Sequence, residues 1–401
     1  MRKQYVSILF LLAICLSASV HVLAQSSAST VFLAGTEGYN SFRIPAIVNL
    51  PRQQLLAFCE GRVNGAADFG DINIVMKSSK DQGRTWSSLK VVVDNKTLQA
   101  GNPAPVFDCL DSAYPNGRLF LFYNTGNNHE SEIRKGKGVR AIWYISSVDA
   151  GENWSEPIDI TQWVHRPLQP TINAHYNFVE DWRSYANTPG HAFQFQSGTY
   201  QGRLYIAANH SAGPPQKDFE DYQSHGFFTD DHGKTFHLSE ALPIFGSNEA
   251  TAAQISGDRL MLNARNQKGN IKTRIVAISK DGGQHWDSTY FDWQLPDPVC
   301  QGSLLNIGGK RGEQWLAFCN AADTVYRNKL TLRISKNEGR TWFKNWLIDS
   351  VNDSQQTNRS AYSDICLLNK KTMGVLYEKN NYSAIVFIAI NWINGKRKKA
   401  F

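Results

Sequence analysis

Past its first two dozen residues the chain has no apolar run long enough to cross a bilayer, so no membrane helix is expected there. Cysteine is scarce. Cys59, Cys109, Cys300, Cys319 and Cys366 remain after the N-terminal segment, an odd number without the paired spacing of a zinc site. Several sit in apolar strand-like runs and are expected as buried free thiols, and the spacing itself pairs none of them. The histidines are scattered and offer no metal-ligand pattern. No basic stripe interleaved with aromatics is present, which argues against a nucleic-acid partner. The net charge of +7 loses two units with Arg2 and Lys3, and Lys396 to Lys399 carry most of the rest as a solvated end. Helical periodicity is rare as well; short β-rich runs broken by turn residues dominate, which predicts an all-β fold.

Residues 1–24 read as a secretory leader: Arg2 and Lys3, the apolar run Val6 to Leu16, then Val22-Leu23-Ala24 before the cut. A lipid-attachment box at Leu12-Ala13-Ile14-Cys15 is disfavoured by the bulk of Ile14 before the cysteine. The mature chain, residues 25–401, is expected to be secreted or periplasmic and long enough for a large core.

One pattern is written five times: Ser79 to Trp86, Ser147 to Trp154, Ser279 to Trp286, and two looser copies. Of the looser copies, Thr229 to Phe236 ends in Phe, and Ser335 to Trp342 has Asn337 in the Asp place. In S-x-D-x-G-x-x-W the Asp bonds nearby backbone amides, the Gly supplies positive φ, and the aromatic folds under the turn. Each copy follows an apolar run, so each is a hairpin tip. A recurrence of roughly 60 residues matches a four-stranded propeller blade. Paired strand-like runs, from Leu55–Glu60 with Ile74–Lys77 to Val375–Tyr377 with Ala384–Ile390, give the expected count: a six-bladed β-propeller of four-stranded antiparallel blades, in a single domain.

Antiparallel order within a blade sorts the polar residues. If the first run of each pair is strand 2, the 2–3 loops share a face with the starts of strand 1, while the repeated turns tip the 3–4 hairpins on the opposite face. Strand-1 starts then bring Arg43, Asn102, Glu249, Gln301 and Tyr362 to one axial mouth. Strand-2 ends and 2–3 loops add Glu60, Arg62, Asp68, Asp71, Arg265, Arg327 and Glu378. Arginines gathered at a concave mouth favour a carboxylate or phosphate ligand, because the guanidinium fork binds two oxygens at once. Each residue also has a structural role open to it: Glu60 and Arg62 can pair with each other, and Asp71 can cap its own turn.

The repeated turn resembles the Asp-box of sialidases and related propellers. With Phe42-Arg43-Ile44-Pro45 near the mature N-terminus, the chain is similar over essentially residues 31–391 to exo-α-sialidases of the bacterial and animal type. The resemblance implies a carboxylate-binding triad of Arg43, Arg265 and Arg327, with Arg359 as a competitor for the third place. It implies Tyr362 as nucleophile, Glu249 as its base, Glu378 as the acid that holds Arg43, and Asp68 as acid/base with Asp71 as the fallback. Arg62, Asn102 and Gln301 complete the expected substrate contacts.

An ordinary Asp titrates near about 3.9, so the Asp68 loop must shield it or the activity is tuned to mild acid. No metal or organic cofactor is implied. The expected activity is retaining hydrolysis of terminal α-linked sialic acid from glycoproteins, glycolipids or oligosaccharides, by a monomer. The alternatives are transfer to another glycan, intramolecular transfer giving an anhydro product, or a sialic-acid-binding propeller with a dead site. A receptor fragment carrying the boxes would not explain the arginines. The looser third and fifth boxes leave their local turn geometry open.

Overall fold

The computed structural model describes residues 28–309, 314–351 and 358–393; residues 1–24, expected as a leader, and the basic run Lys396 to Lys399 lie outside them. The fold is all-β and propeller-like. Four sheets stand separately, and an eight-stranded sheet makes the fifth. Within the eight-stranded sheet, Ser41–Leu50, Gln54–Arg62, Ile72–Ser79 and Lys90–Val93 form one antiparallel meander, and Gln99–Asp108, Arg118–Gly126, Arg140–Ser147 and Ile158–Asp159 form another. A single parallel pair, Ile72 with Gln99, joins the two. The last sheet, Ser360–Asn369, Thr372–Lys379 and Ala384–Asn391, is completed by the N-terminal strand Ser29–Leu33, which runs antiparallel to Ala384–Asn391. The first and last strands among the described residues thereby share one sheet.

Apolar layers lie between neighbouring sheets. Phe42, Ile47 and Cys59 pack against Leu376, Ile385 and Phe387. Phe120 and Phe122 meet Leu204, Phe227 and Phe236, and Met261 and Val276 meet Leu304 and Phe318. Each such side chain contributes about 1.5–3 kcal/mol when fully buried, which explains the alternation of apolar and polar residues along the strands. The first strands Ser41–Leu50 and Gly302–Asn306 meet Ser360–Asn369 at Asp364, which is fully buried. Its carboxylate accepts bonds from Ser303 Oγ (2.7 Å) and the Ile47 amide (2.8 Å) and contacts His191 Nδ1 (2.7 Å). The five cysteines among the described residues are free; four are buried and Cys109 is exposed.

The repeated turns share one geometry. Ser79 Oγ donates to Asp81 Oδ1 (2.8 Å) and accepts from the Gly83 amide (2.9 Å), while Asp81 Oδ1 receives the Arg84 and Thr85 amides (3.0 and 2.9 Å). Gly83 has φ +84°, and a Cβ there would strike the Phe387 ring at 2.1 Å, so glycine is required on two counts. The looser copies keep this frame. Thr229 Oγ1 replaces the serine hydroxyl (2.8 Å to Asp231 Oδ1), and Asn337 Oδ1 still accepts the Thr341 amide (2.9 Å). Asn has the one oxygen the turn needs and spends its Nδ2 on Thr341 Oγ1 (2.9 Å).

Candidate active site

A cavity of about 510 Å³ opens at the other end of these strands, and no residue of the repeated turns lines it. Local backbone irregularity aims its side chains. The first strands break register between Arg43 and Ala46, Gly101 and Ala104, Trp182 and Tyr185, Ser247 and Ala250, and Ser360 and Ser363. Such bulges bend a strand and re-aim the residues within them. Arg43, Asn102, Glu249 and Tyr362 each sit at one. Ile44 (φ +62°), Asn102 (φ +52°) and Val299 (φ +64°) hold left-handed conformations at the same level of the fold, the kind of strain that persists where surrounding structure over-determines it.

Tyr362, buried at the floor, donates its phenol to Glu249 (2.7 Å to Oε1, 2.9 Å to Oε2). Arg265 Nη1 bridges the pair, 2.7 Å from Glu249 Oε2 and 3.0 Å from Tyr362 Oη. Burial first, then the Glu249 charge, pushes the phenol well above its usual range against the pull of Arg265 and Arg327. The hydroxyl is therefore protonated at rest and already hydrogen-bonded to a carboxylate. The Arg43 and Arg327 guanidinium carbons each lie 5.5 Å from the Tyr362 ring centre, so three guanidiniums surround one phenol.

Glu378, fully buried, orders this floor. It accepts Arg43 Nε (2.7 Å) and the Ile44 amide (2.8 Å) on one oxygen and the Tyr362 amide (3.2 Å) on the other. One carboxylate thus orients an arginine and ties two strand starts together. Glu60 does similar work beside it, receiving Arg62 Nη2 (2.6 Å) and the Asn102 amide (3.0 Å).

Asp68 lines the cavity and receives Arg62 Nη1 (2.8 Å). Its side chain is 84 % exposed, so the expected shielding by its loop is absent. Its partial desolvation would raise the carboxyl, but Arg62 first, then Arg43 and Arg327, outweigh this and hold it below the usual range. Asp71 does not line the cavity. Arg359 is turned away, bonded to Asp349 Oδ1 (2.8 Å) and to Asn380, whereas Arg327 lines the cavity.

Gln301 is a correction. It is 1 % exposed and does not line the cavity; its Oε1 accepts the Ser363 amide (3.1 Å) and its Nε2 reaches Pro189 O (3.4 Å). Facing backbone groups on both sides, it positions the strand behind Tyr362. Asn102 lines the cavity, with its Nδ2 bonded to Asn187 O (2.9 Å).

Two groups escaped the sequence reading. Tyr382 stacks on Arg43, 3.8 Å from guanidinium carbon to ring centre, and its Oη accepts from Arg327 Nη1 (3.1 Å). The far wall carries Glu130, whose Oε1 accepts from Ser184 Oγ (2.8 Å) and from the Tyr222 phenol, beside Arg134, held by Asp221 (2.7 and 2.9 Å). Applying the 2–3 loop rule to residues 127–139 and 213–221, which follow second-strand ends, would have found this wall.

Among the described residues one group could approach a metal ion: Asp108, Asp111 and His232, with ligand atoms within 4.8 Å of one another. None of the three lines the cavity. Asp108 already accepts from Gln194 and contacts His232 (2.7 Å), and Asp111 accepts from Arg118 (3.2 Å).

Repeated hairpin turns on one face and an arginine-ringed mouth on the other define a class, and the chain belongs to it: the family of BNR repeat-like domains, whose model matches residues 53–377. Among curated relatives, a sialidase of Micromonospora viridifaciens is 29% identical over 379 residues, covering 90% of this chain and 53% of that protein. An exo-alpha-sialidase of Arthroderma benhamiae is 29% identical over 377 residues, covering 87% of this chain and 81% of that protein. The chain therefore spans about half the length of the first relative and about four fifths of the second. Among solved structures, Hadza microbial sialidase Hz136 superposes with a TM-score of 0.73 at 23% identity, over 91% of this chain and 68% of that one, a likeness of fold.

Proposed function

We propose that the protein is an exo-α-sialidase that hydrolyses terminal α-linked sialic acid from glycoconjugates with retention, through a tyrosyl intermediate. The observation that carries the reading is the ion pairing of the mouth. Arg43 is paired with Glu378, Arg62 with Glu60 and Asp68, and Arg265 with Glu249. Arg327 has no carboxylate partner among the described residues, although it converges on the same phenol. A mouth in which one guanidinium is left without an ion-pair partner fits a substrate that brings one carboxylate.

In the first step Tyr362 Oη bonds to the anomeric carbon as its proton passes to Glu249. The glycosidic C–O bond breaks, and Asp68 protonates the departing oxygen. In the second step Asp68 takes a proton from water, the water oxygen bonds to the anomeric carbon, the bond between that carbon and Tyr362 Oη breaks, and Glu249 returns the proton to Tyr362. A neutral phenol suits a sugar whose anomeric carbon bears a carboxylate, because an anionic nucleophile would approach against that charge; sialidases are a known exception to the two-carboxylate scheme of glycosidases. In the empty mouth Asp68 is held ionised by the arginines. A bound carboxylate neutralises them and covers the loop, and both changes raise the Asp68 pKa toward that of a working acid.

Six blades are the architecture we assign. The eight-stranded sheet divides into two meanders at its single parallel pair, and apolar layers occupy the spaces between successive sheets. Residues 1–24 support secretion or a periplasmic place for a monomeric residue 25–401 domain. Incubation with a fluorogenic sialoside, following release and the first-formed anomer by NMR, tests the function: release of α-sialic acid is expected. Release of the β-anomer or of an anhydro sugar would replace the retaining hydrolytic mechanism, and binding without turnover would replace the enzyme with a lectin.

A further inference from the structure

We propose that Tyr382 is a positioning residue for carboxylate recognition, fixing Arg43 and Arg327 at the spacing a planar anion needs; this rests on the functional reading above. Tyr382 lies in the turn between Thr372–Lys379 and Ala384–Asn391. Three consecutive residues of that turn are left-handed: Asn380 (φ +51°), Asn381 (φ +51°) and Tyr382 (φ +65°). Asparagine tolerates this region, but a bulky aromatic in it is a strained outlier. Such strain is retained where the side chain is held in place by a task.

The strained backbone delivers a side chain that uses both of its chemical parts on arginines. The ring face lies 3.8 Å from the Arg43 guanidinium carbon, on a residue whose Nε is already fixed by Glu378 at 2.7 Å. The hydroxyl accepts from Arg327 at 3.1 Å, the arginine without a carboxylate partner among the described residues. The ring also packs against Ile44, Cys300, Ala361 and Tyr362. A second acid at this place would hold the arginines equally well but would quench the charge that attracts the substrate. A neutral phenol orders both guanidiniums and leaves their charge available.

The test compares Tyr382→Phe, Tyr382→Leu and Tyr382→Asn with wild type. Binding of methyl α-sialoside is measured beside its analogue with the C1 carboxylate reduced to a hydroxymethyl group, with hydrolysis of a fluorogenic sialoside and Tm on the same preparations. Loss of the hydroxyl alone (Phe) is expected to weaken the carboxylate ligand roughly threefold to tenfold. Loss of ring and hydroxyl together (Leu or Asn) is expected to weaken it roughly tenfold to a hundredfold. The reduced analogue should bind all four proteins alike. Tyr382→Asn should keep or raise Tm, because it relieves the left-handed strain, while its carboxylate affinity falls. Equal losses for both ligands, a fall in Tm for Tyr382→Asn in step with affinity, or unchanged affinity in an active wild-type background would each overturn the assignment. A wild type that neither binds nor cleaves sialosides would instead remove the functional reading, and this inference with it.

Discussion

The two faces of the propeller use similar local means for opposite ends. At a box turn the Ser and Asp side chains find their partners within eight residues: Ser279 Oγ meets Asp281 Oδ1 (2.8 Å), and Asp281 accepts the Gln284 and His285 amides (3.1 and 3.0 Å). At the mouth, partners come from opposite ends of the chain, as Arg43 with Glu378 or Glu249 with Tyr362. The Ser–Asp network of the box is closed on itself. Among the described residues the arginines of the mouth are ion-paired except for Arg327. Positive φ closes a turn in one place and aims a site residue in the other. Under the proposed function the box face answers for stability and the mouth for chemistry.

The largest expected effect tests the mouth. Arg43→Lys keeps the charge but loses the fork, and should cost about 2–4 kcal/mol of transition-state binding, read as kcat/KM. Glu378→Gln should reproduce part of that loss. If Arg327→Lys is silent while Arg359→Lys is damaging, the third arginine has been misassigned and the unpaired cation carries no meaning.

Asp68→Asn comes next. It should slow natural sialosides by about a hundredfold or more, yet spare substrates with an acidic phenol leaving group, which depart without a proton. The arginines hold Asp68 low, so Arg62→Met should raise its pKa and move the alkaline limb of the kcat/KM profile to higher pH. A limb that stays in place or moves to lower pH would assign the proton to another group.

The smallest effect belongs to the boxes. Asp281→Ala should cost about 1 kcal/mol of stability and leave the kinetics of the folded enzyme near wild type. A large fall in kcat at unchanged Tm would reverse the assignment of faces. Acid should act on the same turns. The Thr85 hydroxyl and amide hold Asp81 down to about 2, and the Asn153 amide and side chain hold Asp149 down to about 2. Their stabilisation is complete above the usual Asp value of about 3.9 and is lost as pH falls toward 2. Asp81→Asn should flatten that part of the stability profile, measured by denaturant midpoints between pH 5 and 2.

The box face was legible in the sequence because its physics is local: one octapeptide contains the donors, the acceptor and the glycine. Even Asn337 was readable as a box residue, and its turn geometry follows from the single oxygen it shares with Asp. The mouth was legible only through strand order, which says which face a residue reaches but not how far inward it points. Gln301 fell on the correct level and pointed into the backbone. Tyr382 sits in the 2–3 turn of the last sheet, on the face that strand order assigns to the mouth, but nothing in Asn380-Asn381-Tyr382 announces a left-handed aromatic. The bulges that aim Arg43, Glu249 and Tyr362 are also invisible to alternation, since a bulge is a break in pairing with a strand elsewhere in the chain. The low pKa of Asp68 required the distance to Arg62, which no spacing supplies.

The central claim is that Tyr362, paired with Glu249 on the mouth face, forms the covalent intermediate. Treatment with a 3-fluoro sialosyl fluoride, followed by peptide mapping, tests it directly. The label should appear on Tyr362, and Tyr362→Phe should lose most hydrolysis while still binding sialic acid through the arginines. A label on Glu249, or a Phe variant with near-normal turnover and retained stereochemistry, would contradict it.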